Sequence, residues 1–322
     1  MVPPPIDQDQ GQASHDDLQE KLETLQAMHL QEEHSYRCRN FYQEIEIQQR
    51  QDDCAPPSSD IVSMQTRTVL CDWSNKIIDF CDLDRETVEI AFSYVDRFVQ
   101  TDSGCHVLNN SNEYQLLVVT SLYVAIKVHE TVAVSASQFE KISRNMFTAQ
   151  DVEDMENVLL QGINWRLHPP TSICFVRLFL ELMSPNSMTR DQNDTAFILA
   201  KIQTELAVRD CALVSVNAST IAFASLLNAF EALGMLERKD GGLAVNSFVS
   251  LLASHNLVCK SVIYDTEALL IPIQARLYQA IAKQSDTMLF TDSLVPSTPP
   301  RKGSRPSKAC ETTPRSVIGR IT

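Results

Sequence analysis

Apolar residues along this chain recur at helical spacing almost everywhere, and in two places they close into continuous runs. The first run is Tyr114–Glu130, apolar on nearly every side from Tyr114 to Val128. A helix that is apolar all round lies inside a bundle. At about 17 residues the run exceeds the usual length of a strand, 4–8 residues. Lys127 interrupts it before the ~20 apolar residues of a membrane span accumulate. Ser111 offers an N-cap. The pattern therefore predicts a buried helix with Lys127 emerging at its C-terminal end, where a cation suits the helix dipole. On its own, such a lysine reads as a core-helix residue reaching for water.

Other helices follow the same logic. Leu18, Leu22 and Leu25, after a capping-box-like Ser14 and Asp17, predict a solvated or partly formed helix. Its heptads are too few for a coiled coil. A shorter amphipathic stretch carries Tyr36, Phe41, Tyr42, Ile45 and Ile47. After a Pro-rich break, Asp60 is the expected cap of a helix bearing Met64, Val69, Leu70, Trp73, Ile77, Ile78 and Phe80. A strongly amphipathic helix opens near Asp84–Thr87, with Val88, Ala91, Phe92, Val95, Phe98 and Val99 on one face. Beyond the central run come Ser135–Ser143 and a helix capped by Thr148 carrying Val152, Met155, Leu159 and Ile163. After Pro170 a second set begins at 173–183 and 194–208. It continues with an apolar run at 215–233, then 245–255 and 266–283.

The expectation is an all-α chain of two tandem five-helix units, each around a buried central helix. An acidic N-terminal region with a helix spans 1–59, the units 60–168 and 169–285, and a disordered basic Ser/Thr/Pro tail 286–322.

Composition narrows the function. The net charge of −14 argues against a general nucleic-acid binder. It is uneven: residues 1–60 carry 4 basic and 13 acidic side chains, whereas 297–322 carry 6 and 1. Nine scattered cysteines without a C-x-x-C pair read as reduced intracellular thiols, not as a disulfide or zinc framework. No signal peptide or membrane span is visible. Metalloprotease, phosphate-loop, nucleophile-elbow and dinucleotide spellings are absent, so neither catalysis nor a cofactor or metal is expected.

Four short motifs then fall in order. Arg67-Thr68-Val69-Leu70-Cys71-Asp72-Trp73 resembles the start of the cyclin box. Tyr94-Val95-Asp96-Arg97-Phe98 resembles its second-helix motif, and Ala125-Ile126-Lys127-Val128-His129-Glu130 the end of its third helix. Met155-Glu156, followed by Leu159 and Trp165, resembles its fifth helix. Each is weak alone; four at the right separations are specific, and the resemblance covers about residues 40–285.

The resemblance implies a regulatory subunit that binds and activates a cyclin-dependent protein kinase as a heterodimer, in cell-cycle control, in nucleus or cytoplasm. Lys127, Glu156, Val128 and Glu130 would face the kinase, and Arg67–Asp96 would be a structural ion pair. Val69, Leu70 and Trp73 would remain of a docking patch for Arg-x-Leu substrates. Val128 stands where the family has Phe, His129 where it has Glu, and Thr66 where the docking patch starts with Met. Arg67-x-x-Leu70-x-x-x-x-Asn75 fits a destruction-box spelling for a ubiquitin ligase but lies in an expected core helix. In the tail, Thr298 stands before Pro299 with Arg301 three residues on, as a proline-directed kinase requires. The competing readings are a transcription-factor-type double cyclin fold and a helical scaffold without a kinase.

Overall fold

A computed structural model describes residues 8–42, 62–183, 187–237, 239–257 and 270–292. Among these residues every regular element is helical. The α-helices are α1 (Gln8–His34), α2 (Met64–Phe80), α3 (Glu86–Phe98), α4 (Ser111–His129), α5 (Ala136–Ile142) and α6 (Ala149–Gly162). They continue with α7 (Ser172–Glu181), α8 (Arg190–Ala207), α9 (Ala218–Ala232), α10 (Lys239–Ser254) and α11 (Ile271–Asp292). The chain divides into two compact units. One comprises Phe41–Leu167, Val208–Cys211 and Tyr278–Thr322; the other comprises Met1–Asn40, His168–Ala207 and Ala212–Leu277.

In the first unit α4 is the buried axis. Tyr114, Leu117, Leu122 and Ala125 are fully enclosed, and α3 and α6 pack on it most extensively. Each large apolar side chain so enclosed contributes about 1.5–3 kcal/mol. The caps differ from expectation at two helices. Asn110, not Ser111, is the N-cap of α4: its backbone is extended and its Oδ1 accepts from the amides of Asn112 and Glu113 at 3.1 and 3.3 Å. Both residue types cap well, and the backbone turns helical one residue earlier than the apolar run suggests. For α2 the cap is Ser63, in a reciprocal box with Thr66. Asp60 lies outside the described residues, three positions too early. Thr148 caps α6 as expected, with Asp151 closing the box. Between α3 and α4 the chain needs Gly104, because a Cβ there would stand 2.0 Å from the Phe98 carbonyl oxygen.

The second unit is organised around α9. Ala222, Phe223, Ala224, Leu226 and Phe230 are enclosed, and Phe248 of α10 meets Phe179, Phe223 and Phe230 at 5.9–6.4 Å. The N-terminal helix belongs here. It is a full helix, begins ahead of Ser14, and buries Leu22 and Leu25 in this core. The expectation of a solvated or partly formed helix is thereby overturned, and the cause is a polar latch. Glu32, 4% exposed, accepts from the backbone amide of Ser219 at 2.9 Å and from the Ser219 hydroxyl. It also pairs with His29 Nδ1 at 2.7 Å. Asn217, the N-cap residue of α9, makes no side-chain cap bond, so the Glu32 carboxylate serves the open end of that helix.

Candidate protein-interaction site

Lys127 stands in the last turn of α4, where the enclosed stretch ends. Its Nζ lies 2.9 and 3.3 Å from the two carboxylate oxygens of Glu156 on α6. The lysine side chain is 49% exposed and the glutamate 14%, so the pair sits at the surface with its acid half sheltered. Glu156 holds the lysine pKa above its ordinary value, chiefly through this hydrogen bond and against the opposing effect of burial. An ammonium has three N–H donors, so the pair retains donor capacity toward a partner. One turn earlier on the helix, the Tyr123 ring centroid lies 5.3 Å from Nζ. Sequence reasoning missed Tyr123, although its i, i+4 spacing from Lys127 is the signal that puts two side chains on one helix face.

The four residues expected to face a kinase divide. Lys127 and Glu156 come together, and Val128 stands exposed beside them. Glu130 turns to α3, where its Oε1 accepts from the buried Thr87 hydroxyl at 2.5 Å. His129 meets the Leu167 carbonyl at 2.8 Å and the Tyr94 hydroxyl at 3.1 Å, and Tyr94 also donates to Leu167 at 2.6 Å. The end of α4 is thus tied to the chain leaving α6.

Arg67 and Asp96 join α2 to α3 inside the first unit. Arg67 is 3% exposed and Asp96 6%. Two parallel bonds of 2.5 and 2.9 Å link them, and Arg67 Nε donates to the Val208 carbonyl at 2.9 Å. The guanidinium also lies over the rings of Phe92 and Tyr42. Burial pushes the Asp96 carboxyl above its ordinary pKa, and Arg67 opposes that push. The same helix places the expected docking residues differently. Leu70 and Trp73 are each 3% exposed, and Val69 is half-buried. Thr66, at the position of the family's Met, closes the α2 cap. The destruction-box spelling has both its Arg67 and its Leu70 buried. Thr298 lies outside the described residues. Among the described residues no group of three or more His, Cys, Asp or Glu could hold a metal, and no helix is long and apolar enough to cross a membrane.

Comparison with known proteins now bears on this arrangement. Residues 37–168 match the family model for the cyclin N-terminal domain. Over 207 residues the chain is 28% identical to a G2/mitotic-specific cyclin-B1 of Caenorhabditis elegans, covering 63% of this chain and 55% of that protein. Over 129 residues it is 26% identical to a G1/S-specific cyclin-E of the same organism, covering 40% and 24%. The fold resembles that of a viral cyclin from herpesvirus saimiri, with a TM-score of 0.51, 15% identity, and coverage of 68% of this chain and 87% of that one. Residues 37–168 are thus similar to the N-terminal domain of cyclins, and the all-helical fold is a cyclin fold. The chain spans about half, or less, of the length of the relatives it matches.

Proposed function

We propose that this protein is a regulatory subunit that binds and activates a cyclin-dependent serine/threonine kinase, with a part in cell-cycle control. The observation that carries this is the Lys127–Glu156 pair, 2.9 Å from the last turn of α4 to the middle of α6, with exposed Val128 beside it. The family's resemblance assigns these positions to the kinase contact. A charged pair with spare donors and acceptors, flanked by an apolar side chain, is suited to grip backbone groups of a partner. The kinase would carry out phosphoryl transfer; the regulatory chain would set the helix whose Glu must meet the catalytic Lys. Similarity of residues 37–168 to a regulatory family and the lack of a catalytic spelling in the sequence support a non-enzymatic role. The scattered cysteine spacing, without a C-x-x-C pair, supports a reducing compartment, nucleus or cytoplasm.

The test is capture from a panel of purified cyclin-dependent kinases, followed by assay of each on a generic substrate. Failure to bind or stimulate any of them would leave the double-fold factor or the scaffold as the better reading. Capture of a ubiquitin ligase or an Arg-x-Leu peptide would extend the partner set. Burial of Leu70 and Trp73 leaves Val69 as the accessible part of a docking patch. For Thr298, phosphorylation adds about −1.5 to −2 charge to the basic tail. We expect it to change turnover, so that Thr298→Ala and wild type differ in half-life in dividing cells. Equal half-lives would remove that role.

A further inference from the structure

We propose that Tyr123 is a positioning residue for Lys127: its ring and the Glu156 carboxylate hold the ammonium in place before any partner arrives. The partner-facing half of this rests on the kinase-binding reading above. The placement follows from helix geometry. Side chains on an α-helix lean toward its N-terminus, so a residue covers the turn before its own Cα. Lys127 therefore leans over Tyr123, four residues back; Nζ comes to 5.3 Å from the ring centroid, and the Tyr123 hydroxyl adds a smaller pull on the ammonium. From the other side, α6 supplies Glu156 at 2.9 Å. The ring itself is held. Tyr123 is 6% exposed, and Phe139 of α5, 1% exposed, meets it edge-on with centroids 5.4 Å apart and planes at 64°.

An aromatic face within about 6 Å attracts a cation through its quadrupole, which an aliphatic side chain of equal size does not. A free lysine has extensive rotamer freedom to lose when a partner orders it. Here the ring and carboxylate have already narrowed that freedom, so binding loses less of it. With Val128 offering a smaller apolar contact than the family's Phe, more of the affinity falls on this polar anchor. Phe139 thereby acts at one remove, by fixing the ring that fixes the ammonium.

The experiment uses the full-length chain. In the free protein, ring-current shifts should place the Lys127 ε-methylene proton resonances upfield of the other lysines. The displacement should persist in Tyr123→Phe and vanish in Tyr123→Leu. Affinity is then measured for whichever purified kinase of the panel the wild type captures. Tyr123→Leu should weaken binding about three- to thirtyfold, and Tyr123→Phe, which keeps the ring and loses only the hydroxyl, should recover most of it. In a Lys127→Met background, Tyr123→Leu should have no further effect. The same loss in that background would overturn the proposal, because the ring would then act through packing alone. Unshifted Lys127 resonances in the wild type, or shifts that survive Tyr123→Leu, would overturn it without reference to any kinase. Wild-type binding by Lys127→Met would overturn the partner-facing half together with the reading of the site. The free-chain spectra tell these failures apart.

Discussion

Replacing Arg67 with alanine removes a guanidinium that makes two bonds to Asp96, one to the Val208 carbonyl, and contacts with two aromatic rings. Leaving one member of a buried ion pair alone costs about 3–5 kcal/mol. The part-buried Val208 carbonyl also loses its donor, which adds about 1 kcal/mol or less, so Arg67→Ala should fall in the upper part of that range. Asp96→Ala should cost less, because Arg67 keeps Val208 and the Tyr42 hydroxyl, which lies at 3.5 Å. The two variants should also part company with pH. In Arg67→Ala the stranded Asp96 can accept a proton. Burial already raises its pKa, and the opposing guanidinium is gone. A carboxyl whose folded pKa exceeds its unfolded value carries its full deficit above the folded pKa. The deficit shrinks by about 1.4 kcal/mol per pH unit below that, and disappears below the ordinary value. Arg67→Ala should therefore regain stability as pH falls from 7 toward 4. The stranded guanidinium of Asp96→Ala cannot lose its proton, so that variant should show no such recovery toward low pH. Urea unfolding at several pH values, followed by fluorescence, checks both, since Trp73 is buried on the same helix as Arg67. Additive losses under 1 kcal/mol, or no pH dependence in Arg67→Ala, would refute the reasoning.

Lys127→Ala and Glu156→Ala should each cost about 2–5 kcal/mol in kinase binding while changing stability by under ~1 kcal/mol, because the pair is half in water; titration of each variant with kinase, after melting curves, checks this. The Glu32 hydrogen bond raises the pKa of His29, against desolvation and with Glu33 adding to the rise. Its contribution is full below pH ~6.5 and is lost as pH rises through the raised value, so the melting temperature should fall from pH 6 to 9 in wild type and fall less in His29→Gln. Gly104→Ala should destabilise the first unit by at least about 1–3 kcal/mol, since the new methyl meets backbone that cannot yield cheaply; chemical denaturation measures it.

Much of the fold was legible because helices announce themselves over a few turns. The run at 114–128 had to be enclosed, and Thr148 was readable as the cap of the helix that follows it. Lys127 and Glu156 were nameable from motif order, and their pairing followed from the last turn of α4 meeting the middle of α6. What could not be read were contacts set by tertiary approach. Glu130 looked like a surface acid at a helix terminus until α3 brought Thr87 to it. Leu70 and Trp73 were spelled as a patch, yet the α2 stripe that carries them faces inward. Nor did three leucines and a scatter of acids around Glu32 reveal that one carboxylate would cap a helix nearly two hundred residues downstream.

That capping contact sets an order of events at the ribosome. Ser219 follows Glu32 by 187 residues, which at about 5–20 residues per second is a wait of roughly 10–40 s. The whole stretch Phe41–Leu167 emerges in between, and as a contiguous segment it can collapse on its own helices while α1 still lacks its seat. Leu22 and Leu25 must spend that interval in water or on a chaperone. Among the described helices α1 is made before the others, yet it is thus among the last of them to find its seat.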